Sequence, residues 1–266
     1  MGILNVTPDS FSDGGRYDSL SRAVERGIRM AGEGADIIDV GGESTRPGAL
    51  RVAAKEQNAR VLDVIGALHR ELPPGVCISV DTTLSEVAGP ALARGASIVN
   101  DVSAGRDDPR LLPLVAEAGV PVVLMHMRGT PQTMQLNPEY QDVVSEVEQY
   151  LRQRAEQALA AGMAPESIVL DPGIGFGKTR EHNLRLINAL PRLVGLGYPV
   201  LLGVSRKRFM GSICQVCDPT ELVPATCACT ALGVMAGVAI FRVHDVAENR
   251  QAADLAWALK KLREMG

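Results

Sequence analysis

Residues 76–101 read VCISVDTTLSEVAGPALARGASIVND, and this stretch sets the interpretation of the whole chain. Two short runs rich in β-branched residues, 76–80 and 97–100, flank a longer segment with helical periodicity. Gly95 precedes the second run, at a place where a left-handed helix terminus favours glycine. A strand, a helix and a second strand in this order predict a βαβ unit with parallel strands.

The same alternation extends along the chain. Apolar residues recur at helical spacing between the runs, for example Leu20, Ala23 and Val24 early in the chain. Eight strands are predicted, at residues 2–6, 36–40, 76–80, 97–100, 121–126, 167–170, 199–204 and 238–243. We therefore expect an α/β protein, a single-domain (β/α)8 TIM barrel over residues 1–266. An open doubly wound sheet is the alternative.

The composition excludes several classes of protein. The 266 residues are 46% hydrophobic and 22% charged, with a formal net charge of −4. Only 3% are aromatic, and an acidic chain with so few stacking platforms is unlike a nucleic-acid binder. No apolar run approaches the roughly 20 residues of a membrane span, and the N-terminus lacks a signal-peptide pattern. We expect a globular cytoplasmic protein.

Five cysteines are an odd number for a disulfide framework. Cys214, Cys217, Cys227 and Cys229 have spacings that are compatible with a zinc site. The last two, however, lie in the small apolar segment ATCACTALGVMAG, where a free cysteine behaves as a small hydrophobic residue. The second interpretation is favoured, because the spacing is loose and no histidine joins the group.

Polar and ionisable residues follow the apolar runs at one end only. In a parallel barrel the carboxyl ends of all strands meet on one face, where active sites lie. The mixture of acids and cations predicts a ligand with an N–H-rich end and a phosphate end, although an ion pair with a neighbour explains any single arginine equally well. The rim residues are Asn5, Asp39, Asp81, Asn100, Asp101, His126, Asp171, Ser205, Arg206, Lys207, Arg242 and His244.

Three predicted connections are long and rich in glycine: residues 7–17 (TPDSFSDGGRY), 41–48 (GGESTRPG) and 172–178 (PGIGFGK). Glycine permits close backbone approach and hinge-like movement, so we expect loops that close over a substrate. The Gly-x-Gly-x-Gly of the third loop is a weak dinucleotide signal, since its spacing is wrong. The chain also lacks Gly-x-Ser-x-Gly and His-Glu-x-x-His. These features favour group transfer with a phosphate-type leaving group.

Eight blocks in the same order resemble the dihydropteroate synthase family, folate-pathway enzymes that sulfonamides target. The blocks are MGILNVTPDSFSDGG from Met1, IIDVGGESTRPGA from Ile37, SVDT from Ser79, IVND from Ile98, LMHM from Leu124, LDPGIGFGK from Leu170, SRKR from Ser205 and FRVHDV from Phe241. The resemblance implies a barrel that condenses 6-hydroxymethyl-7,8-dihydropterin diphosphate with p-aminobenzoate and releases diphosphate, with Mg²⁺ present.

The resemblance also implies roles for individual residues. The implied catalytic residues are Asp81, Asp171, Lys207 and Arg242, and the implied magnesium ligand is Asn5. The implied pterin diphosphate site comprises Thr45, Arg46, Asp81, Asn100, Met125, Asp171, Lys207, Arg242 and His244. The implied p-aminobenzoate site comprises Phe11, Pro47, Phe176, Lys207 and Arg208. The residues implied to lie in mobile loops are Asp9, Phe11, Ser44, Thr45 and Arg46.

The sequence departs from the family pattern at two places. Family members carry an N-terminal extension, whereas this chain begins at the first predicted strand, so the extension is expected to be trimmed or missing. Arg208 stands where some relatives have serine after Ser-Arg-Lys, so a hydroxyl contact is not carried over. The implied partners are the two small-molecule substrates, sulfonamides as competitive inhibitors, and a second copy in a homodimer formed through the last helices.

Two other functions stay open at this stage. A methyltetrahydrofolate:corrinoid methyltransferase has the same kind of pterin-binding barrel, but the ESTRPG and SRK blocks beside a diphosphate-type rim argue against it. A non-catalytic pterin-binding protein is the second alternative. The presence of every rim residue argues against that function.

Overall fold

The strands and helices alternate as the sequence pattern predicts. The computed structural model describes residues 1–7 and 16–264. The strands are β1 (Gly2–Asn5), β2 (Ile37–Gly41), β3 (Cys77–Asp81), β4 (Ile98–Asp101), β5 (Val122–Met125), β6 (Ile168–Asp171), β7 (Leu201–Leu202) and β8 (Ile240–Phe241). The helices are α1 (Arg16–Gly32), α2 (Ala54–Glu71), α3 (Ser85–Ala93), α4 (Leu111–Ala118), α5 (Val143–Ala160), α6 (Arg180–Asn188), α7 (Leu190–Val194), α8 (Arg208–Cys214), α9 (Val223–Ala236) and α10 (Val246–Glu264).

The strands pair in parallel and close into a barrel. β1 to β6 pair in chain order, and β7 pairs with β8. A bridge between Leu170 and Val200 joins β6 to β7, and a bridge between Gly2 and Val243 joins β8 back to β1. Ile3 N donates to Val243 O at 2.9 Å across this last seam. The closed (β/α)8 barrel confirms the predicted fold class and excludes the open doubly wound sheet.

Alternation along the strands arranges the barrel interior in layers, because residues two apart face the same side. Val123, Val169 and Leu201 form a buried apolar cluster against Ile98 and Ile240. Two positions further along the same strands are Met125, Asp171, Gly203, Asn100 and Arg242. The mostly polar layer at the mouth therefore rests on a mostly apolar layer, which on β2 and β3 also holds the buried Asp39 and Ser79.

The helices cover the outside of the barrel and pack side chains such as Leu68 and Leu151, which are at most 1% exposed. The leucines of α10 project away from the core. Leu255 and Leu262 are 66% and 68% exposed, whereas Val246, Asn249 and Ala256 are buried. The helix packs mainly against α9.

The cysteines form no cluster that binds metal within the described residues. All five are free, and Cys227 and Cys229 are partly buried on α9. Over residues 1–7 and 16–264, no group of three or more His, Cys, Asp or Glu side chains is arranged to hold a metal ion. In the same ranges, no helix combines the length and the apolar character needed to cross a membrane.

Candidate active site

Polar residues stand at the carboxyl-terminal mouth of the barrel, as the pattern of strand ends predicts. Asp81, Asn100 and Asp171 are 6%, 3% and 6% exposed, respectively. Because parallel strands end together on one face, these side chains form a ring with two more, from the ends of β1 and β8. This polar ring consists of Asn5, Asp81, Asn100, Asp171 and Arg242.

Arg242 connects the polar ring to Asp39, which lies one layer deeper in β2. Its Nη2 donates to Asp81 Oδ2 at 2.7 Å, and its Nε donates to Asp39 Oδ2 at 2.6 Å. Asn100 Nδ2 donates to the same Asp39 oxygen at 3.0 Å. Asp39 is completely buried, and its Oδ1 has no hydrogen-bond partner among the described residues. Two buried carboxylates therefore share one guanidinium.

This excess of acid over base changes how the groups titrate. Burial raises the pKa of Asp81 to about 7 against the attraction of Arg242, and the nearby Asp39 raises it further. Burial alone would lower the pKa of Arg242, but Asp39 and Asp81 outweigh it and keep the guanidinium charged. A ligand that brings N–H donors to Asp81 would stabilise its carboxylate form.

Lys207 borders both the polar ring and an aromatic side chain. Its Nζ donates to the carbonyl oxygen of Ile174 and lies 4.6 Å from the centroid of the Phe176 ring. Burial lowers the pKa of Lys207 to about 8, against the attraction of Asp171. Burial raises the pKa of Asp171, whose Oδ1 accepts the N–H of Gly173 at 2.7 Å. The cation therefore links the pocket floor to Phe176.

Ser205 contacts both the backbone and the ring of His244. Its Oγ accepts the backbone N–H of His244 at 3.1 Å and lies 2.9 Å from His244 Nδ1, a contact in which either atom can be the donor. Burial lowers the pKa of His244 to about 4, and Arg242 adds to this effect. His244 is therefore a neutral N–H donor at physiological pH.

The loop after β2, residues 42–48 (the βα2 loop), lies beside the polar ring. Thr45 and Asp81 line the same small cavity. Glu43 Oε2 accepts from Gln57 Nε2 at 2.7 Å and holds the start of the loop. Gly48 N donates to Pro131 O at 2.9 Å near its end. The residues between these anchors that were predicted as site residues are Ser44, Thr45, Arg46 and Pro47.

The loop after β6, residues 172–178 (the βα6 loop), is largely buried and closely hydrogen-bonded. Lys178 is 3% exposed. Its Nζ lies 2.8 Å from His126 Nδ1, and it donates to the carbonyl oxygens of Gly173 (2.8 Å) and Phe176 (3.0 Å). Gly173 has a φ of +63°, and a Cβ there would overlap the carbonyl oxygen of His126. In this loop glycine serves close packing.

An apolar wall stands beside the polar ring, and Phe176 packs against it. Its members are Val102, Met125, Met127 and Met134. Met134 comes from the connection between β5 and α5, residues 126–142 (the βα5 loop). This loop has one glycine, so the glycine signal misses it. Its length is a signal that would have found it, since loops this long in compact domains usually carry function.

The remaining predicted residues fall into three groups: residues outside the described ranges, exposed residues, and residues that stabilise the scaffold. Asp9 and Phe11 lie outside the described residues. Arg208 follows Lys207 as the first residue of α8 and is exposed, like Pro47.

Two members of the rim serve the scaffold instead. The Asp101 carboxylate accepts the N–H of Ser103 at 2.7 Å. Arg206 forms an ion pair with Asp245. Asp39 was predicted in the rim, but its pairing with Arg242 was not. Lys178 was not predicted as a site residue, and only the glycines around it gave a signal.

Comparison with known proteins shows consistent matches. The chain matches the family model described as pterin binding enzyme over residues 1–244. The dihydropteroate synthase of Mycobacterium leprae is 48% identical over 264 residues, which cover 97% of this chain and 92% of that protein. The Yersinia pestis dihydropteroate synthase in a sulfonamide drug complex has a TM-score of 0.91 and 41% identity, covering 98% of this chain and 94% of that one. The Xanthomonas albilineans dihydropteroate synthase with 4-aminobenzoic acid has a TM-score of 0.91 and 45% identity, covering 98% and 92%.

Proposed function

The chain belongs to the dihydropteroate synthase family of pterin binding enzymes, and from this we infer that the polar ring and the apolar wall serve two different substrates. The enzyme is a transferase that joins 6-hydroxymethyl-7,8-dihydropterin diphosphate to p-aminobenzoate, giving 7,8-dihydropteroate and diphosphate. The observation that carries the assignment of the site is the pair of buried acids, Asp81 and Asp171, beside the cations Arg242 and Lys207.

The pterin ring binds in the polar ring. Its ring N–H and amino groups donate to Asp81 and Asp171, the two carboxylates whose pKa values burial raises. Asn100 both donates and accepts, and its side chain is already oriented by Asp39. Lys207 donates to a ring acceptor, and Met125 contributes apolar contact from the wall. Matching donors to buried acids favours a dihydropterin over an anionic ring.

The diphosphate binds to the cations and N–H donors at the edge of the ring. Arg242 and Arg46 supply positive charge, Thr45 supplies a hydroxyl, and His244 donates a ring N–H. Because His244 is neutral with a pKa of about 4, its contact with phosphate is a directed hydrogen bond and does not depend on protonation near neutral pH.

The amide oxygen of Asn5 suits a magnesium ion that enters with the substrate. Mg²⁺ prefers hard oxygen ligands and is usually held by one or two protein oxygens, waters and substrate phosphates. A Cβ on Gly41 would lie 3.7 Å from both Asn5 Oδ1 and Asp81 Oδ2, so glycine leaves space between them. When bound, the ion supplies charge neutralisation to the leaving diphosphate.

The p-aminobenzoate ring binds against Phe176 and the apolar wall. Pro47 closes this slot from the βα2 loop together with Phe11, which lies outside the described residues. The exposed Arg208 and the neighbouring Lys207 supply cations for the carboxylate. The aromatic face and the cations thus suit the two ends of an arylcarboxylate.

The reaction is a substitution at the pterin methylene carbon. The carbon–oxygen bond breaks and its electron pair leaves with diphosphate, while Asp81 and Asp171 stabilise the positive charge that develops on the pterin. The arylamine nitrogen then forms the carbon–nitrogen bond and afterwards loses a proton. An electron-rich pterin needs no strong base for this step, in agreement with the absence of a nucleophilic triad among the sequence motifs.

The deciding experiment is a diphosphate-release assay with both substrates, with and without Mg²⁺. We expect release only when both substrates are present, and faster release with Mg²⁺. Methyl transfer from methyltetrahydrofolate to cob(I)alamin without condensation would instead establish the corrinoid methyltransferase. Tight pterin binding without diphosphate release would establish a non-catalytic binder.

The division between the two substrates is tested by a pair of substitutions. Asp81→Ala removes one of the two carboxylate partners of Arg242 and an acceptor for the pterin, so we expect pterin binding to be lost. Phe11→Ala is expected to weaken the use of p-aminobenzoate and to leave pterin binding largely intact. Calorimetric titration with pterin diphosphate and a KM measurement for p-aminobenzoate separate these effects, and equal losses of both would contradict the division.

Three further properties belong to the same proposal. Sulfonamides compete with p-aminobenzoate, as the drug complex of the Yersinia pestis relative suggests. A homodimer forms through the last helices, where Trp257 and three leucines of α10 are exposed. The cytoplasmic location stays a prediction from the sequence.

A further inference from the structure

Lys178 is a buried amine that the proposed reaction does not use. Its Nζ has three partners within 3.0 Å, His126 Nδ1 and the carbonyl oxygens of Gly173 and Phe176, and it also lies 3.3 Å from the carbonyl oxygen of His126. The side chain is 3% exposed, and burial lowers the pKa of Lys178 well below its usual value. Because these contacts surround the amine, Lys178 is not itself a ligand for substrate.

These contacts join two separate connections of the barrel. His126 directly follows β5, whereas Gly173 and Phe176 belong to the βα6 loop, about 50 residues further along the chain. The two loops are packed so closely that a Cβ on Gly177 would lie 2.5 Å from the carbonyl oxygen of Arg128. Lys178 is thus a buried polar link between two tightly packed loops.

The segment that Lys178 holds carries the groups around the aryl slot. Phe176, whose carbonyl Lys178 binds, presents its ring to Lys207 Nζ at 4.6 Å. The carbonyl oxygen of Ile174 lies between the two carbonyls that Lys178 binds, and it accepts from Lys207 Nζ. Asp171, by contrast, is the last residue of β6, so the strand places its backbone, and its carboxylate in addition accepts the N–H of Gly173. Losing Lys178 would therefore disturb the aryl slot more than the pterin floor.

We propose that Lys178 is a positioning residue for p-aminobenzoate, which acts by cross-linking the βα6 loop to His126 and so fixing Phe176 against Lys207. This inference rests on the proposed role of Phe176 in binding the aryl ring. The amine acts through the two carbonyls that it binds, and the loop is preorganised before substrate arrives.

A double-mutant cycle tests the proposal. Lys178→Met keeps the apolar stem and removes every donor, and we expect it to raise the KM for p-aminobenzoate about tenfold while the KM for pterin diphosphate changes less than about twofold. Phe176→Ala should raise the same KM by a similar factor. If Lys178 acts through Phe176, the double variant is no worse than Phe176→Ala within about twofold.

Controls separate positioning from a general loss of structure. Lys178→Gln keeps amide donors and should restore part of the loss, and it carries the test if Lys178→Met does not fold. Arg180→Met, at an exposed neighbouring position, should leave both KM values unchanged.

Three results would overturn the inference: independent, multiplying effects in the double variant, equal rises of both KM values, or no change in Lys178→Met while Phe176→Ala is impaired. A Phe176→Ala enzyme with a normal KM would refute the proposed aryl slot itself, and the role of Lys178 with it.

Discussion

The βα2 loop and the βα6 loop are both rich in glycine, yet they are built differently. The βα6 loop is buried around Lys178, and further bonds run to it from Gln135 Nε2 to Gly175 O and from Tyr140 Oη to Gly177 O, each 2.8 Å. In the βα2 loop, Arg46 and Pro47 are exposed, and anchors are found at the two ends.

Glycine content does not by itself indicate a moving loop. Glycine in the βα6 loop removes side chains so that two backbones can touch, whereas a Cβ on Gly48 in the βα2 loop would meet no atom of the described residues within 4 Å. The βα6 loop is therefore closely packed. The βα2 loop is more open, as its proposed closing over the diphosphate would require.

Gly173→Ala is expected to have the largest effect, because it disrupts the packing of the βα6 loop. The new Cβ would overlap the carbonyl oxygen of His126, and φ is +63°. We expect a loss of stability of about 3 kcal/mol or more and at least about a hundredfold loss in kcat/KM for p-aminobenzoate. Thermal unfolding and steady-state kinetics check this. A variant with normal stability and kinetics would show that the βα6 loop accommodates the extra Cβ at little cost.

The sequence predicted the part of the site that depends on local periodicity. Asp81, Asn100, Asp171 and Arg242 were found because strands end in polar residues and parallel strand ends share a face. The eight strands were found for the same reason, since β-branched runs and glycine punctuation are local signals.

What the sequence did not predict depends on tertiary packing. The contact of Lys178 with His126 spans about 50 residues and requires the barrel to bring two loops together. The commitment of Asp39 to Arg242 is a pairing across the barrel interior, 203 residues apart. Neither pairing leaves a periodic signal in the chain, and the outward leucine face of α10 likewise has the same pattern as an inward one.

The pH dependence of kcat/KM for pterin diphosphate tests whether burial lowers the pKa of Lys207. Asp81, with a pKa of about 7, is a carboxylate only above that pH, and Lys207, with a pKa of about 8, is an ammonium only below its own. We expect a narrow bell with its maximum between these values, and a fall of about tenfold per pH unit on each side.

A substitution assigns the alkaline limb. Lys207→Arg keeps the positive charge at high pH, so the alkaline limb should move to higher pH while the acid limb stays near pH 7. If the alkaline limb does not move, another group limits the rate there, and burial does not lower the pKa of Lys207 in solution.

Arg46→Gln probes the opposite loop and should have a smaller effect. The side chain is exposed, so its attraction for diphosphate is screened by salt. We expect the KM for pterin diphosphate to rise about fivefold at low ionic strength, and the difference from the parent enzyme to shrink as salt is added. Arg208→Gln is the matched control, because it also removes an exposed cation. We expect it to change the KM for p-aminobenzoate and not the KM for pterin diphosphate. A defect of Arg46→Gln that is independent of salt would place Arg46 in a desolvated contact.

Gly48→Ala should have the smallest effect and completes the comparison with Gly173. Both positions have positive φ, here +82°, but within residues 1–7 and 16–264 a Cβ on Gly48 meets no atom within 4 Å. Only the backbone penalty remains, about 1 kcal/mol, so activity with either substrate should change less than about twofold. Thermal unfolding and the two KM values measure this. A large loss of activity with unchanged stability would mean that the βα2 loop needs the freedom of glycine to close, and that its openness in the structure is part of how it works.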